Sequence, residues 1–356
     1  MENRKIIIWT KGIDHLLDRR GILGGITVQM YFWAKTFEEN DWIVYSFSNR
    51  GKKTVENINF LWFPEVRYIG IFIEVFFSLF YIVFYRPSII ILRGASRSLG
   101  YLQFFARLFH SKLIFFCASD SDTEVGKELI NAKHDKIMFR LGLRNVQYFI
   151  VQNLLQKQRL KENYKKINSL IIPNIWRFPK SKFVDSEQSF ILWVGNFRTL
   201  KRPEWFLQLA KNIPQSNFKM VGGIIDENCY QKCYEESKMI SNLEFLGPLP
   251  FEDVNSLFAS SEIFVCTSEI EGFPNTFLQA WANNKPVVTT FDPSDLIKNN
   301  NLGIVVKNET ELLNAVLLLL NNEQMNRKIQ NNIYRYFSEN HNAKEKFNSL
   351  LNFINS

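Results

Sequence analysis

Two stretches of this chain carry side chains whose types and spacing can do chemistry. The first is Cys266–Val288, CTSEIEGFPNTFLQAWANNKPVV. A strand is expected to end near Thr267. A polar turn follows through Ser268, Glu269, Glu271 and Gly272, and a helix starts about Pro274-Asn275. A helix N-terminus offers unpaired N–H groups and positive dipole potential, so main chain there can hold hydroxyls or phosphate oxygens. Glu271 and Gln279 are just over two turns apart and share a face if the helix begins early enough. The same residues also fit a plain capped helix with an acidic first turn. The second stretch is Ile191–Leu207, ILWVGNFRTLKRPEWFL. A strand ends at Gly195, and Arg198, Lys201 and Arg202 precede a helix that opens at Pro203 with Glu204 in its first turn. Three cations beyond a strand's carboxyl end suit a diphosphate, and Arg can contact it bidentately. A solvated basic loop has the same composition.

A third candidate is Asp120-Ser121-Asp122, which follows the strand KLIFFC. Its carboxylates have the spacing of a metal–diphosphate motif. They also fit an N-cap for a helix beginning around Thr123, or an Asp120 aimed into a ligand cleft.

The elements that must position these residues alternate. Lys5–Thr10, Trp42–Phe47, Ile58–Phe63, Ser88–Leu92, Lys112–Cys117 and Gln147–Gln152 read as strands, with helices opening at Gly24-Gly25, over Ile69–Tyr85 and over Ser98–Phe109. Residues 175–188, with a Pro and scattered charges, read as an interdomain linker. The alternation then restarts, with strands at Phe190–Val194, Phe218–Val221, Leu243–Phe245, Ile263–Thr267 and Pro286–Thr290. Helices are expected at Pro203–Asn212, Phe251–Ser260, Asn275–Asn283, Glu309–Asn321 and Glu323–Ser338. The expected fold is α/β, with doubly wound Rossmann-like domains over 1–174 and 189–335 and a ligand cleft at the carboxyl ends of their sheets. Residues 336–356 read as a C-terminal helix able to return to the first domain.

Composition narrows the function classes. The 356 residues suffice for about two domains, and 46% hydrophobic with 22% charged content excludes a largely disordered chain. Four Cys exclude a disulfide scaffold, and Cys229 and Cys233, one turn apart, lack companions for a zinc site. The start has too short an apolar run for a signal peptide, which gives a cytoplasmic expectation. Net charge is +8, but residues 1–174 hold 25 Lys/Arg and 15 Asp/Glu, net +10, against −2 in the remainder. One half therefore suits an anionic partner. The basic residues are scattered, with no nucleic-acid motif, so no nucleic acid is expected. Ile69–Tyr85 is apolar nearly all round and shorter than the ~20 residues of a membrane span. It fits either a buried helix on the first sheet or a segment inserted into the interface of an anionic membrane.

In order, VGNFRTLK, KMVGG, LEFLGPLP, TSEIEGFPNTFLQAWANNKPVV and NNNLGIVV resemble the retaining glycosyltransferases of family 4 (glycosyl transferases group 1), which have the GT-B fold. The likeness is strongest over about 190–305. It extends more weakly to LGGITVQMYFWAK, RPSIIILR and IIPN. The resemblance implies a hexosyltransferase-type enzyme acting in polysaccharide and lipid-linked glycan assembly. A nucleoside diphosphate sugar would be the donor and a glycan or polyprenyl-linked molecule the acceptor, at the inner face of the cell membrane, with no metal and no cofactor. Lys201 and Arg198 would stabilise the departing diphosphate, with Lys201, Glu271 and Asp120 as catalytic residues. Glu271 and the main chain after Gly272, through Phe273, Pro274 and Asn275, would hold the sugar. Gly24 and Gly25 would let backbone approach the donor phosphate or the acceptor. The family's second Glu falls on Gln279, assigned to the ribose, and its Arg after the glycine falls on Asn196. These departures leave a catalytically impaired nucleotide-sugar-binding protein as the alternative. An epimerase of similar fold lacks a suitably spaced acid/base pair.

Overall fold

The computed structural model describes residues 4–17, 24–64, 70–165, 168–177, 189–269 and 273–356. Glu271, Gly272 and most of the expected linker lie outside the described residues. The chain divides into two compact units. The first has Leu23–Ile175 as its body and includes Ala343–Ser356, and the second is built on Trp176–Asn342.

The first unit begins β1 (Lys5–Lys11), α1 (Ile13–Leu17), α2 (Gly25–Glu38), β2 (Ile43–Ser48), β3 (Lys53–Val55) and β4 (Ile58–Trp62). It continues α3 (Gly70–Tyr85), β5 (Ile89–Arg93), α4 (Ser98–Leu108), β6 (Lys112–Phe116), α5 (Lys133–Asn145), β7 (Tyr148–Val151), α6 (Leu154–Tyr164) and β8 (Ser169–Ile171). The second runs β9 (Phe190–Val194), α7 (Pro203–Asn212), β10 (Asn217–Val221), α8 (Glu227–Ser237), β11 (Leu243–Gly247), α9 (Phe251–Ser260) and β12 (Ile263–Cys266). It ends α10 (Asn275–Ala282), β13 (Val287–Thr289), α11 (Leu296–Asn300), β14 (Gly303–Val305), α12 (Glu309–Asn321) and α13 (Glu323–His341), after which α14 (Ala343–Asn355) belongs to the first unit.

The first sheet has the order β3-β4-β2-β1-β5-β6-β7-β8 and the second β11-β10-β9-β12-β13-β14. Pairing is parallel except between β3 and β4. Parallel strands covered on both faces read as unbroken apolar runs, which is why KIIIWT and SIIIL carry no polar alternation. In register, Ile7 faces Ile90 and Ile91 faces Ile114. One face of the first sheet is closed by Ile82, Leu99, Phe105 and Phe139, packed in one cluster with Leu92, Phe115 and Phe149. Side chains one residue along point to the other face. There Trp33 of α2 meets Phe116, and Phe37 meets Phe347 of α14.

Several elements differ from expectation. Helices α5, α6 and α8 and strands β3 and β8 are not read from the sequence, because α6 and α8 are mostly polar and those strands are three residues each. No helix begins at Thr123. Asp120–Thr123 is a single 3-10 turn, and the next helix is α5. The expected helix 336–356 is two helices: α13 runs on to His341, and the chain passes at Asn342–Ala343 into α14. There Lys112 Nζ holds the Ile354 carbonyl at 2.7 Å.

Candidate functional site

In the second unit the chain winds outward from β9 to β11, then returns to place β12 on the other side of β9. Ligands of open α/β sheets bind beyond the carboxyl ends of the strands at such a reversal. Two loops stand there, Gly195–Arg202 after β9 and, after β12, a second whose described residues are Thr267–Glu269 and Phe273-Pro274. Thr267 sews them together. Its fully buried hydroxyl accepts from Trp193 Nε1 at 3.0 Å and donates to the Lys201 carbonyl at 2.6 Å. The Glu269 N–H adds a bond to the Leu200 carbonyl at 2.9 Å.

The base of the first loop is fixed by main chain. Phe197 is buried, and its N–H donates to the Gly223 carbonyl at 2.8 Å. Gly222 is required by close approach, since a Cβ there would lie 1.6 Å from the Gly195 carbonyl oxygen. From this base the chain rises through half-buried Asn196 to exposed Arg198, which caps the turn Thr199–Lys201. Lys201 is half-buried. Arg202 departs from the three-cation expectation. Its Nε donates to the Thr267 carbonyl at 3.0 Å and its guanidinium lies 4.5 Å from the Trp205 ring. It clamps the two loops together.

The second loop leads into α10, with Pro274 at the cap and the Phe277 N–H bonded to its carbonyl at 3.1 Å. Asn275 opens the helix, so the positive dipole end and the first-turn amides lie beside the loop. Phe273 packs on Trp281 and His341, with centroids at 6.3 and 5.7 Å. Gln279 is buried and donates to Asn255 Oδ1 of α9 at 2.7 Å. The described residues thus bring Arg198, Lys201, Pro274 and Asn275 to one end of the sheet. Glu271 and Gly272 lie outside the described residues.

The first sheet also reverses, about β1. Gly24 caps α2 in extended conformation, and a Cβ there would meet nothing within 4 Å among the described residues. Packing does not demand glycine at this position. Asp122 turns away from solvent, its Oδ2 accepting from the Ala118 N–H at 2.6 Å and the Ser119 N–H at 3.2 Å. Ser119 and Asp122 form a reciprocal cap of the turn, so the two carboxylates of 120–122 do not point the same way. Burial raises the Asp122 carboxyl, opposed by those amides and by Arg93. Asp120 is exposed, with Oδ1 accepting from Gln156 Nε2 at 2.9 Å and Asn153 Nδ2 at 3.3 Å at the start of α6. Arg93, at the end of β5, donates to Asn174 Oδ1 at 2.5 Å. Burial lowers its guanidinium to about 10, and Asp122 opposes that shift.

The partners Thr267, Trp193, Asn255 and Gln156 carry no sequence signal of their own. They are ordinary polar or aromatic residues whose role appears when distant segments meet.

Residues 174–336 match the family model described as Glycosyl transferases group 1. An uncharacterized glycosyltransferase of Methanocaldococcus jannaschii is 25% identical over 57% of this chain and 58% of its own length. An uncharacterized glycosyltransferase of Haemophilus influenzae is 27% identical over 49% of this chain and 50% of its own length. The chain thus spans about half the length of the curated relatives it matches. Among solved structures, sucrose-phosphate synthase from Thermosynechococcus elongatus superposes with a TM-score of 0.74 at 15% identity, covering 99% of both chains. A glycosyltransferase from Rickettsia africae gives 0.73 at 15% identity, again over 99% of both. A UDP-GlcNAc 2-epimerase from Neisseria meningitidis, bound to UDP-GlcNAc, gives 0.67 at 10% identity over 98% of this chain and 99% of its own. These likenesses bear on fold, which one architecture lends to several chemistries. Residues 174–336 are similar to the Glycosyl transferases group 1 family, and the chain takes the GT-B fold with two Rossmann-like units.

Proposed function

We propose that this protein is a retaining glycosyltransferase of family 4. It moves a hexose from a nucleoside diphosphate sugar to a glycan or polyprenyl-linked acceptor in cell-surface polysaccharide synthesis, with no metal or cofactor. The observation that carries the reading is the sewn switch point of the second sheet. Thr267 ties the loop bearing Arg198 and Lys201 to the loop leading to Glu271 and α10. Cations preorganised beside a helix N-terminus suit a group that gains negative charge as a bond breaks.

In this reading Arg198 and Lys201 stabilise the departing diphosphate. Glu271, Gly272 and the segment Phe273-Pro274-Asn275 orient the sugar, and Gln279 serves the ribose. The acceptor hydroxyl oxygen bonds to the anomeric carbon on the face the diphosphate leaves. The carbon–diphosphate bond breaks with its electron pair on the phosphate oxygen, and that oxygen takes up the hydroxyl proton. No protein nucleophile is required, and configuration is retained. In this reading the first unit supplies acceptor recognition, and Gly24, Gly25 and Asp120 are its assigned site residues.

The test is a panel of nucleoside diphosphate sugars screened by thermal shift, followed by transfer of radiolabelled sugar into a membrane lipid extract. One donor should raise the melting temperature, since ligand bound to the native state stabilises it. The same donor should label an extractable product. Stabilisation by a donor without transfer or donor cleavage would overturn the enzymatic reading in favour of a binding protein.

A further inference from the structure

Helix α3 turns its polar groups inward and its phenyl rings outward. Its buried positions are Ser78, Tyr81 and Ile82. Ser78 Oγ donates to the Glu74 carbonyl, and the Tyr81 hydroxyl donates to the Trp62 carbonyl. Facing outward, Phe72, Phe76 and Phe84 are 76%, 63% and 69% exposed, and Phe80 is exposed between them. These four phenylalanines recur every fourth residue and form one ridge about 18 Å long. Phe76 and Phe80 stack at 6.4 Å and 14°, and Phe80 and Phe84 at 5.8 Å and 13°. A shallow groove of about 430 Å³ runs along the ridge to Arg86. Phe104 and Leu108 of the neighbouring α4 are exposed as well.

The acidic residue of α3, Glu74, is held by Arg97 Nε at 2.7 Å. Exposed Arg86 ends the ridge and exposed Arg107 stands in the last turn of α4. Arg86 has a φ of 46°, the left-handed conformation in which helices usually place glycine, so the end of α3 carries a cation where backbone preference favours Gly. The 1–174 half has net charge +10. A second copy of this chain would bring the same positive surface against it. An anionic surface complements it.

We propose that the outer face of α3, the Phe72–Phe84 ridge with its basic rim, docks the protein on an anionic phospholipid bilayer. The helix is about 24 Å long, less than the ~30 Å hydrocarbon thickness, and among the described residues no helix is long and apolar enough to cross a membrane. It lies in the interface plane. The phenyl ridge enters the acyl boundary, and Arg86 and Arg107 meet headgroup phosphates. The surface belongs to the first unit alone and does not depend on the sugar-transfer reading.

The experiment is co-sedimentation of the full chain with phosphatidylcholine vesicles, with and without about one-third phosphatidylglycerol, at low and high salt. Binding should require phosphatidylglycerol and weaken as salt rises, because screening shortens to ~3 Å at 1 M. The double substitution Phe76→Ser, Phe80→Ser should lower the partition coefficient at least tenfold with an unchanged melting temperature. Arg86→Glu with Arg107→Glu, which leaves the ridge intact, should lower it by a similar factor and flatten the salt dependence. If the serine variant fails to fold, the arginine pair decides. No binding to anionic vesicles at low salt would overturn the proposal. So would unchanged binding by the folded variants, or a dimer in lipid-free solution that the ridge substitutions dissolve while vesicles bind neither form.

Discussion

Replacing Thr267 by Val tests whether the sewn switch point organises the site. Val keeps the shape and burial of Thr and removes one hydroxyl, which serves two groups. The Trp193 indole N–H, on a buried side chain, loses its acceptor at 3.0 Å, and the Lys201 carbonyl loses its donor at 2.6 Å. A buried donor left unsatisfied costs about 1–3 kcal/mol. The carbonyl, in a half-buried turn that water reaches, adds about 0.5–1.5 kcal/mol. The expected loss is therefore about 2–4 kcal/mol. At about 2–4 °C per kcal/mol for a unit of this size, the melting temperature should fall roughly 4–16 °C. The Lys201 turn also loosens, and misplacement by an ångström can cost ~100-fold in rate. Thermal unfolding followed by circular dichroism and a transfer assay under saturating donor measure both effects. Thr267→Ser keeps both hydrogen bonds, losing one methyl worth about 1 kcal/mol, and should restore turnover. A valine variant that melts within 2 °C of wild type with unchanged turnover would refute the bridge as an organiser of the site.

Lys201→Ala should lower turnover ~100–1000-fold with little change in melting temperature, and turnover within threefold of wild type would remove Lys201 from the site. Glu271→Gln keeps shape and hydrogen-bonding capacity. It should cut transfer strongly with a small change in melting temperature, whereas a helix-dipole role alone is worth ~0.3–1 kcal/mol of stability. Gln279→Glu should keep or tighten donor affinity by calorimetry, with the Asn255 amide turning to donate to the new carboxylate; a clear weakening would mean that Gln279 serves another contact. Gly222→Ala places a Cβ against the Gly195 oxygen and should cost more than about 4 kcal/mol, read as loss of folded protein on expression.

Local pattern alone determined the alternation of elements, the parallel character of the sheets and the stretches 190–202 and 266–288. Each depends on signals a few residues long: an apolar run for a strand buried on both faces, Pro203 at a helix start, Gly195 and Gly222 at strand ends. Predicted and observed helices share both bounds at Pro203–Asn212, Phe251–Ser260 and Glu309–Asn321. Tertiary structure decided what each chemically capable side chain does, because partners distant in sequence leave no local trace. Arg198, Lys201 and Arg202 look alike as a run, yet Arg202 is drawn to the Thr267 carbonyl and the Trp205 ring. Asp120 and Asp122 have equivalent spacing, yet Asp122 folds back onto main-chain amides while Asp120 meets α6. Helix α3 gives the same separation for a physical reason. A helix apolar all round has no periodicity from which to read its inward face, and packing against Trp62 turned Ser78 and Tyr81 in and the phenyl ridge out.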